Sequence, residues 1–190
     1  MTTMAALDGL RPLEPRRFGD DRGFFAESYN ARDFAARTGL SPVFVQDNMS
    51  LSARPGTVRG LHFQTAPFAQ AKLVSVMRGA ILDVAVDLRA GSPTFGRHAV
   101  FELSAANGRQ LFVPAGFAHG FCTLEPDTLV FYKVTAFYSA EHDRGLAWDD
   151  PTLGIAWPVG PADAVLSDKD RVHPRLADLP PAFRQGDPPF

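Results

Sequence analysis

The chain has 190 residues, of which 45% are hydrophobic and 21% are charged, and its formal net charge is -2. Its lysines and arginines are scattered, so a basic surface for nucleic acid is not indicated. No apolar run is long enough to cross a bilayer, and the N-terminus from Met1 to Asp8 lacks the basic and apolar regions of a signal peptide. We therefore expect one cytoplasmic domain over residues 1–190, with no membrane or nucleic-acid partner.

The N-terminal part of the chain is predicted to be an arm followed by a hairpin. Residues 10–18 are predicted as an edge strand or arm, because Pro12 and Pro15 cannot donate a hydrogen bond to a neighbouring strand. Residues 20–23 are typical of a turn, and residues 24–29 alternate between apolar and polar side chains as a strand does.

One short helix is predicted at residues 31–39, where Asn30 can cap the start and Gly39 the end. After it the periodicity becomes strand-like, with turn residues between the segments. Strands are predicted at residues 43–52, 57–64, 72–78, 80–88, 97–103, 110–114, 120–124 and 129–134.

Beyond Tyr138 the chain is rich in proline and aspartate, and Trp148 and Trp157 are predicted to anchor its packing. The Pro-rich tail, residues 176–190, is predicted to be an arm or partly disordered. Many short strands with few short helices indicate an all-β sandwich or barrel, and a jelly roll would also hide the strand edges.

The single cysteine, Cys122, excludes an internal disulfide and fits a reducing compartment. It lies in the apolar run 120–124, which favours a buried structural thiol over a nucleophile. The five histidines stand alone, without the close pair that a metal site in such a barrel usually has. We therefore predict no metal and no cofactor.

Residues 59–64 place a guanidinium and an imidazole three positions apart, at Arg59 and His62. In an ideal strand these two side chains would point to opposite faces. A bulge or bend at Gly60 would be needed to bring both to one pocket. The other strand side chains capable of acid–base or charge chemistry are Lys72, His119 and Tyr132. Taken alone, Lys72 is equally typical of a structural and a functional role, whereas His62 and Tyr132 are more typical of structural side chains.

Together, however, seven blocks of sequence resemble the dTDP-4-dehydrorhamnose 3,5-epimerase family. The likeness runs from about Phe18 to Pro174, and the blocks occur in the family's order. They are residues 18–25, 44–48, 59–64, 93–96, 109–111, 114–121 and 166–170.

The resemblance implies a metal-free cupin jelly roll, that is, a double-stranded β-helix, which forms a homodimer. The implied reaction is epimerisation of dTDP-4-dehydro-6-deoxy-D-glucose at C3 and C5, on the way to dTDP-L-rhamnose. By position, His62 matches the general base, Asp170 its orienting partner and Tyr132 the general acid. Lys72 matches the lysine beside the C4 carbonyl, where a cation would stabilise the enolate.

The remaining matches imply contacts with the nucleotide sugar, and Tyr138 matches an aromatic ring that stacks on thymine. Fixed guanidinium groups suit a diphosphate. The residues implied as substrate contacts are Arg22, Glu27, Gln46, Asp47, Asn48, Arg59, His119, Tyr138, Asp143 and Lys169.

Three positions depart from the family pattern: Met49, where histidine is common, Ser75, where arginine is frequent, and Phe137, where tyrosine is frequent. A mono-epimerase that inverts only C3 or C5 is therefore an alternative. A non-catalytic sugar-binding jelly roll would need the pocket without a paired base and acid. A metal-dependent cupin oxygenase is disfavoured, because the chain lacks a close histidine pair.

Overall fold

The computed structural model describes residues 7–190, so predictions that concern residues 1–6 lie outside the described range. Within it the chain forms mostly strands, one α-helix and one short 3-10 helix. The elements are β1 (Arg11–Leu13), β2 (Arg17–Asp20), β3 (Gly23–Ala26), α1 (Ala31–Thr38), β4 (Gln46–Ser52), β5 (Val58–Gln64), β6 (Lys72–Arg78), β7 (Ala80–Asp87), β8 (Arg89–Ala90), β9 (His98–Ser104), β10 (Gln110–Val113), β11 (Phe117–Thr123), β12 (Thr128–Val134), β13 (Asp143–Gly145), a 3-10 turn (Leu176–Asp178) and β14 (Phe183–Arg184).

Two five-stranded antiparallel sheets carry the fold. The first sheet has the order β1-β10-β6-β12-β4, and the second has the order β13-β5-β11-β7-β9. Neighbours in each sheet are mostly distant in the sequence, as in a jelly roll. The predicted all-β jelly roll is confirmed. No helix in the described part of the chain has the length and hydropathy needed to cross a bilayer.

The core lies between the two sheets. Because successive strand side chains point to opposite faces, Val74 and Val76 of β6 point inward and meet residues such as Ile81 and Phe121 of the second sheet. Each fully buried aliphatic side chain of this kind stabilises the fold by roughly 1.5–3 kcal/mol. The sheets are therefore held face to face by apolar burial.

The helix covers the outer face of the first sheet. Asn30 Oδ1 accepts hydrogen bonds from the backbone amides of Arg32 and Asp33, and Gly39 ends the helix in a left-handed conformation. The buried ring of Phe34 packs edge-on against Phe112, with 5.3 Å between ring centroids. The predicted helix and both of its caps are confirmed.

The C-terminal segment covers the outer face of the second sheet. Trp148 and Trp157 pack together, with 5.9 Å between ring centroids, as predicted. The tail was predicted to be an arm or partly disordered, and that prediction is wrong. β14 pairs with β8, and the ring of Phe183 is buried against Phe63. Burial of Phe183 fixes the tail in spite of its prolines.

Some predicted strands differ at their ends. The strand predicted at 43–52 begins at Gln46, because Phe44 instead packs in the aromatic cluster around Tyr29. The strand predicted at 24–29 ends at Ala26, and the one predicted at 120–124 already begins at Phe117.

Cys122 is fully buried, and burial raises its pKa to about 11, as suits the predicted structural thiol.

The bend required near Gly60 is present. The pairing of β5 with β11 shifts register there, so that His119 lies opposite His62 while Phe121 lies opposite Arg59. Gly60 has a φ of 119°, and a Cβ at this position would lie only 2.7 Å from the Cα of Gly120. Only glycine permits this close approach.

Candidate active site

A cavity of about 280 Å³ opens between the two sheets. The first sheet supplies side chains from β4, β6 and β12, and the second supplies them from β5 and β13. Alternation along β4 turns Gln46 and Asn48 inward and leaves Asp47 outside. The residues around the cavity are Gln46, Asn48, His62, Phe63, Gln64, Gln70, Lys72, Tyr132, Tyr138, Asp143 and Lys169.

His62 lies at the cavity wall and is held from behind by Asp170. The distance from His62 Nε2 to Asp170 Oδ1 is 2.6 Å, and Ser167 Oγ donates to Asp170 Oδ2 at 2.7 Å. Burial alone would raise the pKa of Asp170, but the hydrogen bonds from His62 and Ser167 outweigh it and lower that pKa. Since a carboxylate can only accept, Nε2 of His62 donates and Nδ1 is left free to accept a proton.

Lys72 reaches the same cavity from β6 of the first sheet. Its Nζ donates to the backbone carbonyl of His62 at 3.3 Å. Burial lowers the pKa of Lys72 to about 8, although the charges of Asp143 and Asp83 oppose this shift. The lysine is therefore a cation at neutral pH whose charge is only partly compensated by its surroundings.

Tyr132 faces the cavity from β12, on the sheet opposite His62, where it pairs with Asn48. Burial raises the pKa of its hydroxyl, and the nearby charge of Arg59 opposes this shift. The hydroxyl of Tyr132 therefore keeps its proton at neutral pH. Arg59 itself donates to Ser52 Oγ and to the Leu51 carbonyl, both at 3.1 Å.

Two glutamines that the sequence did not single out hold the loop beside the cavity. Gln64 donates to the carbonyls of Phe68 and Phe137 and accepts from the backbone amide of Ser139. Gln70 donates to the Ala136 carbonyl at 2.7 Å. Gln64 ended a predicted strand and Gln70 lay between two predicted strands, and only the fold shows that their amides fix the loop that carries Tyr138.

The rim of the cavity combines an aromatic ring with charged groups. Tyr138 is 60% exposed, and its hydroxyl donates to Asp143 Oδ2 at 3.2 Å. Lys169 pairs with the same carboxylate oxygen. Gln46 accepts from the backbone amide of Tyr138 at 3.2 Å. Tyr138, Asp143 and Lys169 thus form one connected rim.

His119 does not line the cavity. It lies beside His62 on the neighbouring strand, is buried, and places Nε2 2.9 Å from Asp83 Oδ2. Asp83 was not singled out from the sequence, because an isolated aspartate in an apolar strand carries no recognisable signal. His119 and Asp83 form a buried pair behind the cavity wall.

Four further residues implied as substrate contacts, Arg59 among them, do not line the cavity of this chain. Asp47 points outward from β4 and pairs with Lys133. Arg22 is at the exposed tip of the β2–β3 hairpin and pairs with Asp20. Glu27 follows β3 and accepts a hydrogen bond from Asn30.

The arrangement can therefore move protons on two sides of a bound molecule. A proton acceptor, His62, and a proton donor, Tyr132, approach from opposite sheets, and the cation of Lys72 lines the same cavity, 3.3 Å from the His62 carbonyl. Removal of a proton beside a carbonyl group needs a base together with a charge that stabilises the resulting enolate. The cavity contains both.

The comparisons with known proteins agree with this chemistry. The family model for dTDP-4-dehydrorhamnose 3,5-epimerase matches residues 4–178. The chain belongs to the dTDP-4-dehydrorhamnose 3,5-epimerase family. A curated dTDP-4-dehydrorhamnose 3,5-epimerase from Sinorhizobium fredii is 59% identical, over 92% of this chain and 89% of the relative.

Solved structures of the epimerase family share the fold. The dTDP-4-dehydrorhamnose 3,5-epimerase from Bacillus anthracis, with TDP and PPi bound, is 55% identical with a TM-score of 0.87, over 92% of this chain and 98% of that one. A 3,5-epimerase from Legionella pneumophila, in complex with dTDP-4-keto-L-rhamnose, is 42% identical with a TM-score of 0.89, over 95% of each chain.

Proposed function

We propose that the protein epimerises dTDP-4-dehydro-6-deoxy-D-glucose at C3 and C5, giving dTDP-4-dehydro-L-rhamnose for dTDP-L-rhamnose biosynthesis. The observation that carries this proposal is the placement of His62 and Tyr132 on opposite walls of one cavity, with Lys72 beside them. The relative from Sinorhizobium fredii is named for this reaction, and the Legionella pneumophila structure holds dTDP-4-keto-L-rhamnose. Both support the choice of substrate.

In the proposed reaction His62 removes the proton. Nδ1 accepts the proton from C3 or C5 of the sugar, while Nε2 keeps its hydrogen bond to Asp170. The positive charge that forms on the imidazole is stabilised by this buried carboxylate. Asp170 thus orients the base and favours its charged form without contacting the sugar.

Lys72 stabilises the negative charge that develops on the oxygen at C4. Such preorganised charge matters most where water is excluded, and Lys72 is only 9% exposed. Tyr132 then donates its proton to the carbon from the opposite side, which inverts the stereocentre. A single group on one face would return the original epimer.

The nucleotide is proposed to bind along the rim and the outer part of the cavity. Tyr138 offers an exposed ring for stacking on thymine, and Lys169 and Arg59 offer charge for the diphosphate. The other proposed contacts within the cavity are Gln46, Asn48 and Asp143. His119, which the resemblance implies as a further substrate contact, lies behind the wall beside His62 and pairs with Asp83.

The positions that depart from the family pattern lie outside the cavity lining. Met49 is 70% exposed on the outer face of β4, and Ser75 points away from the cavity and accepts from Gln110. Phe137 contributes only a carbonyl to the Gln64 contact. Their placement favours the double epimerase over a mono-epimerase.

The conversion itself can be tested by incubating the protein with dTDP-4-dehydro-6-deoxy-D-glucose and reading the product configuration by NMR. We expect the configuration to be inverted at both C3 and C5. Inversion at one carbon would support the mono-epimerase, and binding without conversion would support a non-catalytic sugar-binding protein.

We expect activity to fall as the pH rises through about 8, because Lys72, whose pKa burial lowers to about 8, loses its proton there. Below that pH Lys72 is charged and stabilises the enolate. Tyr132 does not explain a loss in this range, since burial raises its pKa above the ordinary value of 10.0. A pH profile of kcat checks this, and Lys72→Arg should remove the alkaline loss even if its activity is lower throughout. An unchanged alkaline limb in Lys72→Arg would contradict the assignment.

We further propose a homodimer that brings the β2–β3 hairpin of one chain to the cavity of the other. The hairpin exposes Phe24 and Phe25, at 62% and 67%, far more apolar surface than such a short element normally shows to water. It also carries Arg22, and Glu27 follows it. In the dimer these two charged residues would reach the partner's nucleotide sugar.

Replacing Phe24 and Phe25 together with serine is expected to give a monomer with weaker substrate binding. Analytical ultracentrifugation and KM measure the two effects. The matched control is Phe95→Ser, which changes another exposed phenylalanine in the turn before β9. A double variant that stays dimeric would contradict the proposed interface.

A further inference from the structure

A second histidine lies behind the base and contacts the same carboxylate. His173 Nε2 is 3.6 Å from Asp170 Oδ1, which also receives the hydrogen bond from His62. The two imidazole rings meet edge to face, with 5.4 Å between their centroids. The three residues thus place two nitrogens and one carboxylate oxygen around a common point, all within 4.8 Å of one another.

His173 is held firmly in this position and has no hydrogen-bonded role there. Its side chain is 8% exposed, and within residues 7–190 its Nε2 is one of the few buried side-chain atoms without a hydrogen-bond partner. The ring rests on Gly145, the residue that pairs with His62, and a Cβ at Gly145 would overlap the ring. A buried imidazole nitrogen without a partner is costly, so its presence calls for a ligand.

We propose that His62, Asp170 and His173 form a binding site for Zn²⁺. Two imidazoles and one carboxylate are a common ligand set for Zn²⁺, which takes nitrogen at about 2.0–2.1 Å and oxygen at about 2.0–2.2 Å. Two such ligand atoms in a tetrahedral site lie about 3.4 Å apart. Shifts of roughly 1 Å in the three side chains would therefore bring the atoms to the metal, leaving one coordination position for water.

This site would switch the enzyme off, an effect that rests on the proposed role of His62 as the base. Coordination through Nε2 displaces the hydrogen that Nε2 donates to Asp170. A neutral imidazole then carries its only hydrogen on Nδ1, the nitrogen that has to accept the proton from the sugar. The imidazole stays neutral and no proton is released, but the base is blocked.

No metal was predicted from the sequence, because the chain has no two histidines close together on one strand. His62 lies in β5 and His173 near the C-terminus, and the fold alone brings them together. This site lies behind the cavity wall and uses the catalytic base itself. It therefore differs from a metal centre that takes part in a reaction, and the proposed epimerisation needs no metal.

Calorimetric titration of the metal-free protein with zinc chloride tests binding independently of activity. We expect one Zn²⁺ per chain for the wild type and an affinity at least about tenfold lower for His173→Ala, since a lost ligand costs no less than a lost supporting contact. His173→Leu removes the imidazole but fills its space, and guards against poor folding of the alanine variant. His98→Ala, which removes a histidine on β9, is the control and should bind as the wild type does.

Activity measured at zinc concentrations fixed by a metal buffer tests the inhibition. We expect zinc to inhibit the wild type and His98→Ala, a chelator to restore them, and His173→Leu to need at least about tenfold more zinc. Equal zinc affinity in wild type and His173→Leu would overturn the site. Binding without inhibition would overturn the switch, whereas inactivity without zinc would count against the proposed function alone.

Discussion

Replacing His62 with alanine is expected to lower kcat by roughly 10²–10⁴-fold, the usual contribution of a positioned general base. The same change should abolish exchange of the hydrogens at C3 and C5 with solvent, because His62 is the one imidazole among the described residues that line the cavity. NMR of the substrate in deuterated water reports exchange, and product formation reports turnover.

His98→Ala is the matched control for this variant. His98 is a histidine of β9 that does not line the cavity, so its removal should leave both exchange and turnover near the wild-type rates. Circular dichroism shows whether each variant is folded. If folded His62→Ala protein exchanged hydrogen at the wild-type rate, His62 would not be the base.

Replacing Tyr132 with phenylalanine should separate the two halves of the reaction. The ring and its packing are retained, and His62 can still remove and return a proton on its own face. Exchange with solvent should therefore continue, whereas inversion should fall by roughly 10²-fold or more, because the acid on the opposite face is lost. The ratio of exchange to inversion, measured in one NMR experiment, is the readout.

The matched control is Tyr29→Phe, which removes a hydroxyl from a tyrosine packed between Phe34 and Phe44 and away from the cavity. Its ratio of exchange to inversion should equal that of the wild type. Unchanged inversion in Tyr132→Phe would show that another residue donates the proton.

The central strands and the helix could be predicted because their signals are local. The alternation of β4 is one example: Gln46 and Asn48 face the cavity, and Met49 and Leu51 face outward. The requirement for a bend at Gly60 also followed from spacing alone, since Arg59 and His62 are three residues apart. The register shift between β5 and β11 lies at this point, although of the two residues only His62 lines the cavity.

The C-terminal tail was predicted incorrectly because its order depends on distant partners. Proline content suggested an arm, but Phe183 is buried against Phe63, and the Ala115 amide donates to the Pro189 carbonyl. These contacts join residues that are far apart in the sequence. No periodicity within the tail could have indicated them.

The site was predictable where a resemblance supplied the residues and not where contacts depend on the fold. His62, Lys72 and Tyr132 meet in one cavity, with Asp170 behind His62. Gln64 and Gln70 were missed, because a glutamine in a strand or a loop gives no sign that its amide will hold a neighbouring loop. Asp83 and His173 were missed because only the fold brings them to His119 and His62.

The most direct test of the central claim is the reaction of wild-type protein with dTDP-4-dehydro-6-deoxy-D-glucose in deuterated water. If His62 and Tyr132 act on opposite faces of the sugar at both positions, the product will carry deuterium at C3 and at C5, and both carbons will be inverted. Deuterium and inversion at only one carbon, or inverted product without deuterium, would contradict the account.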